Sequence, residues 1–264
     1  MAASRLQGRT VLITGASSGI GKATAEEFVH QAREGDIKLV LAARRIDTLN
    51  QIKADLEGKG AKVHTIKLDV GNLAEIQSAI RSLPQQFSKI DVLLNNAGFV
   101  LGNDKVGSIE PSEVAGMMSV NVLGLINMTQ EVIKVFEANG GRGDIVNIGS
   151  IAGREPYAGG SIYCASKAAV AAFTSSLRKE LVASAIRVIQ VDPGQVETEF
   201  SVVRMRGDKA KADAIYKGVT PLTPQDIAEI IVFAVGRPEN VVIADTLVFP
   251  SHQAGAGVMH RRES

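Results

Sequence analysis

Short β-branched runs alternate with longer amphipathic ones along the whole 264-residue chain, and that alternation constrains the fold more than any single residue. Thr10–Thr14 (TVLIT), Ile37–Ala43 (IKLVLAA), Val63–Asp69, Ile90–Asn95, Ile145–Ile148, Ile186–Val191 and Val241–Phe249 read as strands. Between them lie helical runs: one after a glycine turn at residues 15–21, then Ile46–Lys59, Leu73–Phe87, Pro111–Phe136 with an interruption around Gly124, Ser161–Glu180, and Thr223–Val235 opened by Thr-Pro. Strands that alternate with helices build a parallel sheet covered on both faces. No repeat, low-complexity stretch or Pro/Ser-rich linker divides the chain, so residues 1–264 read as one domain. Residues 196–217 are the least regular and are expected to form a substrate lid. The polar, glycine-bearing tail at 250–264 is either disordered or packed on a neighbouring subunit.

The strand order expected for such a chain is that of an α/β, Rossmann-type doubly wound parallel sheet of about seven strands, with ligands at the carboxyl ends. The first βα turn fits it: Gly15, Gly19 and Gly21, spaced GxxxGxG, directly follow a strand and open a helix. Glycines there permit a tight turn and the close approach of a diphosphate, which the helix N-terminus attracts. Helix–strand packing also asks for small residues at such a turn. The end of the second strand is more informative. A dinucleotide site that accepts an unphosphorylated ribose places an acid there. Here the residues are Ala42-Ala43-Arg44-Arg45. A carboxylate would repel a ribose phosphate, whereas a guanidinium can bind one with parallel hydrogen bonds. The cofactor expected is therefore NADP rather than NAD. The alternative is that the two arginines are solvated and pair with Asp47 or Glu34.

Tyr163 and Lys167 are one helical turn apart within Ser161–Glu180. A free phenol ionises at about pH 10, and a neighbouring ammonium favours the phenolate. With a hydroxyl beside it, for which Ser150 is the candidate, such a phenol can shuttle a proton for an alcohol/carbonyl pair. The same i,i+4 pair can also decorate a solvated helix face.

Other classes are excluded by composition. A formal net charge of +1, no basic block, sparse aromatics and no tryptophan argue against a nucleic-acid or acidic-membrane partner. Cys164 is the single cysteine, so no intramolecular disulfide forms; it reads as a small buried hydrophobe in a reducing compartment. His30, His64, His252 and His260 have no metal-ligand spacing, and no metal is expected. No apolar run has the length to span a membrane, the N-terminus has no signal core, and the C-terminal RRES carries no peroxisomal or prenylation signal. A cytoplasmic location is expected.

TGASSGIG at 14–21, LDV at 68–70, NNAG at 95–98, Asn121, Ser150, YCASK at 163–167 and Pro193-Gly194 occur in that order. The ordered set, spread from about residue 9 to 250, resembles the short-chain dehydrogenase/reductase family. The resemblance implies tyrosine-dependent hydride transfer between a nicotinamide and a carbonyl or alcohol. On that pattern Tyr163 is the acid/base, Lys167 lowers its pKa and binds the nicotinamide ribose, and Ser150 orients the substrate oxygen. Asn121 would hold a water linking Lys167 to solvent. Gly15, Ser17, Ser18, Gly19, Ile20 and Gly21 would form the diphosphate turn. Asp69 and Val70 would flank the adenine, and Asn96, Ala97 and Gly98 the adenosine ribose. Pro193, Gly194, Val196 and Thr198 would position the carboxamide. Taken singly, Asn121 could cap or kink its helix, Asp69 could be a strand-end acid and Thr198 a cap. Asp192 departs from the pattern, since the family more often has a small or less acidic residue before Pro-Gly.

A narrower resemblance, carried by Glu199-Phe200-Ser201, Val203-Arg204, Gly207-Asp208 and Ile243–Leu247, is to the NADP-dependent 3-hydroxy acid (serine, allo-threonine) dehydrogenases of fungi and bacteria. It implies small 3-hydroxy acids, 3-hydroxyisobutyrate among them, as substrates and a homotetramer built partly by the C-terminal segment. Such substrates carry a carboxylate, and a closed site needs a cation to hold it. Arg204 is the first candidate; Arg154 and Arg206 are reserves. Two other readings stay open: reduction of a bulkier carbonyl, decided by 196–217, and a non-catalytic nucleotide sensor.

Overall fold

The computed structural model describes residues 2–32 and 36–262. In chain order its elements are α1 (Ala2–Leu6), β1 (Thr10–Thr14), α2 (Gly19–Ala32), β2 (Lys38–Ala43), α3 (Ile46–Glu57), β3 (Lys62–Lys67), α4 (Leu73–Arg81) and β4 (Val92–Asn95). They continue with α5 (Pro111–Met118), α6 (Leu125–Ala138), β5 (Arg142–Ile148), α7 (Ser161–Glu180), β6 (Ala185–Pro193), α8 (Glu199–Arg204), α9 (Lys209–Ala214), α10 (Pro224–Val235) and β7 (Asp245–Val248). The seven strands form one parallel sheet in the order β3-β2-β1-β4-β5-β6-β7. The chain reverses direction across the sheet between β1 and β4, so the loops leaving these two strands diverge and open a crevice.

Alternate residues of each strand feed two cores. Val11, Ile13, Leu39 and Leu41 pack with Phe28 of α2, Leu49 and Ile52 of α3 and Ile227 and Ile231 of α10. Leu12, Val40 and Leu93 pack on the opposite face with Ile76 of α4, Met128 and Phe136 of α6 and Leu177 of α7. Burial on both faces is why these strands read as continuous apolar runs.

A buried ionic pin closes the amino ends of the sheet. Arg187 donates from Nε and Nη2 to Asp144 at 2.6 and 2.7 Å, and Arg9 reaches the same carboxylate at 2.6 Å. The Arg187 guanidinium also donates to the carbonyls of Val235, Arg237, Pro238 and Val241. These bonds account for one correction. The last strand was expected over Val241–Phe249 but spans Asp245–Val248: the Val241 carbonyl is turned to Arg187, and pairing with β6 begins only at the Ala244 carbonyl, which accepts both the Gln190 N–H and Arg178.

Two further departures and one expected interruption have local causes. The helix expected over Leu73–Phe87 stops at Arg81, and Pro84, which cannot continue a helix, leads into a separate short turn at Gln85–Phe87. The run expected over Pro111–Phe136 with an interruption around Gly124 is α5 and α6 joined by a π-helical segment, Ser119–Gly124, which is that interruption. Gly124 lies against the β3–α4 loop, where an added Cβ would stand 2.7 Å from the Val70 carbonyl. The N-terminal α1 has five residues, too few to show a helical period. The irregular stretch at 196–217 contains α8 and α9, and the tail folds back on its own chain: Arg261 donates to the carbonyls of Ile215 and Lys217, and Ala256 N–H to Glu155. Among the described residues no helix is long and apolar enough to cross a membrane, and no group of His, Cys, Asp and Glu could hold a metal ion.

Candidate active site

A cleft of about 590 Å³ runs along the carboxyl ends of the strands and under α8. At one end the β1 turn supplies its floor. Gly15 and Gly19 have φ of 66° and 53°, values at which a side chain is strained. Asn96 reaches across the switch point, its Nδ2 donating to the carbonyls of Thr14 and Gly15, while Thr14 Oγ1 accepts the N–H groups of Asn96 and Ala97. Ser17, Ser18, Gly19, Ile20, Ala97 and Gly98 face the cleft. Gly21 does not. A Cβ on it would stand 2.5 Å from Asn96 Nδ2 and 2.6 Å from the Gly15 carbonyl, so its part is close packing of the turn.

Arg44, Arg45, Asp69 and Val70 line the same end. Arg45 lies over the glycine turn, donating from Nε to Ser17 Oγ at 3.2 Å and from Nη2 to Ser18 Oγ at 2.7 Å. Its Nη1 pairs with Glu199 of α8 at 3.0 Å, not with Asp47; Glu34 lies outside the described residues. Two hydroxyls and a guanidinium converging on one point, with a carboxylate already drawn to it, fit the phosphate of a phosphorylated ribose. Asp69 turns its carboxylate back to the Gly71 N–H at 2.9 Å, a strand-end role, while its residue still walls the cleft.

The other end holds Ser150, Tyr163 and Lys167. β5 delivers Ser150, and α7 presents Tyr163 and Lys167 on the face turned inward, each less than a tenth exposed. The helix is held by a buried chain of amides and hydroxyls: Asn95 Nδ2 donates to Thr129 and Asn147, and Asn147 Nδ2 donates to Thr174 of α7. Ser150 hydrogen-bonds the Tyr163 phenol, which favours its ionised form, but burial outweighs this and holds the phenol above the usual tyrosine range. Burial also pushes Lys167 down to about 8, with the charge of Asp192 opposing it. Lys167 Nζ donates to the Ile148 carbonyl at 2.8 Å and stands 5.9 Å from the centre of the phenol ring. Beside the expected help from Lys167, the loss of water is the largest influence on both groups in the empty cleft.

Asn121 sits behind this pair in the π-helical segment, not in the cleft lining. Both its N–H donors are engaged, on the Phe99 carbonyl and Ser166 Oγ, and its Oδ1 accepts the Phe99 N–H. A Cβ on Gly98 would stand 3.3 Å from that Oδ1 and 3.7 Å from Lys167 Nζ, so the two side chains flank Gly98.

Beyond the phenol lies a region walled by Tyr157, Phe200, Val203, Arg204, Ala256 and Met259. Phe200 meets Tyr163 edge-on, with centroids 5.5 Å apart. Arg204 donates to Tyr157 Oη at 3.1 Å, acts electrostatically on Tyr163, and keeps a buried Nε with no hydrogen-bond partner. The reserve arginines are elsewhere. Arg154 is bound to Asp192 at 2.6 and 2.7 Å and does not line the cleft. Arg206 faces outward to Asp104 and Glu113. Pro193, Gly194, Val196 and Thr198 border the cleft where β6 ends. Thr198 Oγ1 also accepts the Phe200 N–H and caps α8, and Gly194 leaves room for Gln253, whose Oε1 accepts the Gln195 N–H at 2.8 Å. Glu199 entered the sequence reading only through the narrower resemblance, and its pairing with Arg45 had no sequence signal; nor did the tail residues Gln253, Ala256 and Met259 that line the cleft.

Comparison with known proteins agrees with this geometry. The chain is 56% identical over 262 residues, 99% of its own length and 100% of the relative's, to a protein of Schizosaccharomyces pombe named NADP-dependent 3-hydroxy acid dehydrogenase. It is 39% identical to sulfoacetaldehyde reductase 2 of Chromohalobacter salexigens, covering 92% of this chain and 95% of that one. Among solved structures it resembles the closed form of a serine dehydrogenase complexed with NADP+, with a TM-score of 0.87, 36% identity and coverage of 96% and 100%. The family model described as short chain dehydrogenase matches residues 9–208, and the chain belongs to that family.

Proposed function

We propose that this protein is an NADP-dependent oxidoreductase acting on the 3-hydroxyl carbon of small 3-hydroxy acids of the serine, allo-threonine and 3-hydroxyisobutyrate type. The observation that carries the reading is one cleft with Arg45 over the glycine turn at one end, the Ser150–Tyr163–Lys167 set toward the other, and the unpartnered Arg204 Nε beyond it. Relatives and a structural neighbour named for NADP and for 3-hydroxy acids or serine support the same substrate class.

When bound, NADP supplies the hydride donor or acceptor and, oxidised, a positive charge beside the phenol. Arg45, with Ser17 and Ser18 anchoring it, would hold the ribose phosphate, and Arg44 would add charge there. The Gly15–Ile20 turn would take the diphosphate; Asp69, Val70, Asn96, Ala97 and Gly98 would border the adenosine, and Pro193, Gly194, Val196 and Thr198 the carboxamide. Ser150 orients the substrate oxygen. Tyr163, kept protonated by burial, gives its proton to a carbonyl oxygen as the carbonyl is reduced. In the oxidative direction it must first lose that proton, which Lys167 assists as an ammonium that also holds the nicotinamide ribose. Asn121 fixes the back wall behind Lys167 and, with its remaining Oδ1 lone pair, can hold the water through which the proton leaves. Arg204 Nε takes the substrate carboxylate, with Tyr157 and Phe200 limiting the chain length.

A second reading, reduction of a small aldehyde that carries a sulfonate, is supported by the Chromohalobacter relative and by an arginine that suits either anion. A cytoplasmic location and a homotetramer accompany the first reading; the exposed Leu123, Phe233 and Leu247 suit subunit contacts, and light scattering of the purified chain tests the subunit count. Turnover of L-serine, L-allo-threonine, D-threonine, 3-hydroxyisobutyrate and a neutral secondary alcohol, followed by NADPH absorbance with Tyr163→Phe as control, tests the function. Turnover of the acids, lost in the control, supports it. Turnover of the neutral alcohol alone removes Arg204 from the site, and NADPH binding without turnover favours a sensor.

A further inference from the structure

Asp192, the residue before Pro193-Gly194, is an acid with 0% exposure at the carboxyl end of β6. A buried carboxylate is costly unless it is paired and fully hydrogen-bonded. Asp192 meets both conditions. Its Oδ1 accepts the Ser150 backbone N–H at 3.0 Å and Gln190 Nε2 at 2.8 Å, and its Oδ2 accepts Arg154 Nε at 2.7 Å and Arg154 Nη2 at 2.6 Å. β5 makes room for it: a Cβ on Gly149 would overlap Oδ1. Gln190, two residues earlier on β6, points to the same side and supports the same oxygens. Four donors and one glycine are thus arranged around an acid that does not line the cleft.

We propose that Asp192 and Arg154 are a positioning pair for the reaction: the carboxylate holds the Ser150 backbone in register and supplies the negative charge that keeps Lys167 an ammonium, and Arg154 sets how much of that charge Lys167 feels. This rests on the parts given above to Ser150 and Lys167. Lys167 faces Tyr163 on its own helix, the Ile148 carbonyl of β5 and Asn121 from the π-helical segment, and Asp192 is the carboxylate whose charge acts on it. The phenol is faced by Ser150, Tyr157, Arg204 and Cys164. Arg154 is 37% exposed in its side chain, so the charge on Asp192 is balanced from the solvent side while the Ser150 side stays dry.

The two members of the pair should move the pH profile in opposite directions. Asp192→Asn keeps the shape and one acceptor oxygen but removes the charge, so Lys167 loses its proton at lower pH. The basic limb of kcat/KM for a 3-hydroxy acid then moves down by about half a pH unit or more. Displacing Ser150 slightly lowers kcat as well, by about 10-fold. Arg154→Gln leaves the acid with its Ser150 and Gln190 donors, unmasks its charge, and moves the basic limb up. In Asp192→Asn combined with Arg154→Gln the limb returns toward its original place. Profiles are taken from about pH 6 to about pH 10 at fixed ionic strength, with NADPH fluorescence titration to establish that each variant is folded. A merely structural part would lower kcat in both variants without opposite displacements, and that result, or unshifted limbs, overturns the proposal. If Asp192→Asn does not fold, the half-exposed Arg154→Gln decides alone: an upward limb supports the pair, and an unchanged or lowered one refutes it. Full activity in Ser150→Ala and Tyr163→Phe would overturn this inference and the proposed function together, whereas loss in both with unshifted limbs overturns this inference only.

Discussion

Replacing Arg45 by alanine should separate the two nicotinamide cofactors. The guanidinium is anchored by Ser17 and Ser18 and half exposed, at 49% of its side chain. A hydrogen bond to a charged group contributes about 1.5–3 kcal/mol, and solvent screening at a half-exposed site puts this one at the lower end. Loss of about 1.5–2 kcal/mol corresponds to roughly 10- to 30-fold weaker NADP binding. NAD, which has no ribose phosphate, should be little affected. The structure adds an internal check, because Arg45 must leave Glu199 to serve the phosphate. Glu199 is 60% exposed, so its pair with Arg45 is worth at most about 1 kcal/mol. Glu199→Gln should therefore tighten NADP binding by up to about 5-fold and leave NAD unchanged. Calorimetric titration of both cofactors into the three proteins, at low and moderate salt, reads these constants directly, and added salt should shrink the differences. Parallel weakening of NADP and NAD in Arg45→Ala, or weaker NADP binding in Glu199→Gln, would refute the reasoning.

Tyr163→Phe should lower turnover by about 10²- to 10⁴-fold while NADPH still binds, as stopped assays and fluorescence titration would measure. Arg204→Ala should raise KM for 3-hydroxy acids by about 10-fold and spare a neutral alcohol; an unchanged KM for the acids would place the carboxylate elsewhere. Because burial holds the Tyr163 phenol protonated, carbonyl reduction should be insensitive to pH near neutrality while alcohol oxidation accelerates with pH, a contrast seen by running both directions. Lys167 gives a stability test. Its folded pKa, about 8, lies below its ordinary 10.5, so between those values the unfolded chain binds more protons and stability rises with pH. Lys167→Met should flatten that rise in melting experiments, and an identical pH slope would contradict the burial. Gly21→Ala, whose Cβ would meet Asn96 Nδ2 at 2.5 Å, should destabilise the fold by about 1–3 kcal/mol in denaturant titration.

Much of the fold was legible because buried parallel strands are written as unbroken apolar runs; Thr10–Thr14 reads the same way in sequence and structure. The middle of the site was legible too, since Ser150, Tyr163 and Lys167 lie in local motifs of defined spacing and the structure brings them to one cleft. What failed to show was pairing at a distance. Arg154, Arg204 and Arg206 are alike as sequence, yet one is bound to Asp192, one keeps a buried Nε free, and one faces solvent acids. Arg45 and Glu199 are 154 residues apart, and no window of sequence joins them. The burial of the phenol was hidden for a related reason: the i,i+4 spacing displays the ammonium, whereas depth in the molecule belongs to the tertiary fold. The tail gave no pattern because its bonds go to the carbonyls of Ile215 and Lys217, which only the fold brings near.

The ionic pin of Arg9, Asp144 and Arg187 lies at the amino ends of the strands, the pole opposite the cleft. It should give the molecule a polarity of motion. Opening events at the carboxyl pole would break bonds of residues 196–217 and the tail, among them exposed ones from Arg206 and Arg261. At the other pole they must uncover a carboxylate and a guanidinium that are both nearly inaccessible. Hydrogen exchange should accordingly run fastest through 196–217 and 252–262 and slowest at the bases of β1, β5 and β6. On that pattern, ligands would enter and leave at the cleft without loosening the strands that carry Ser150 and Asp192.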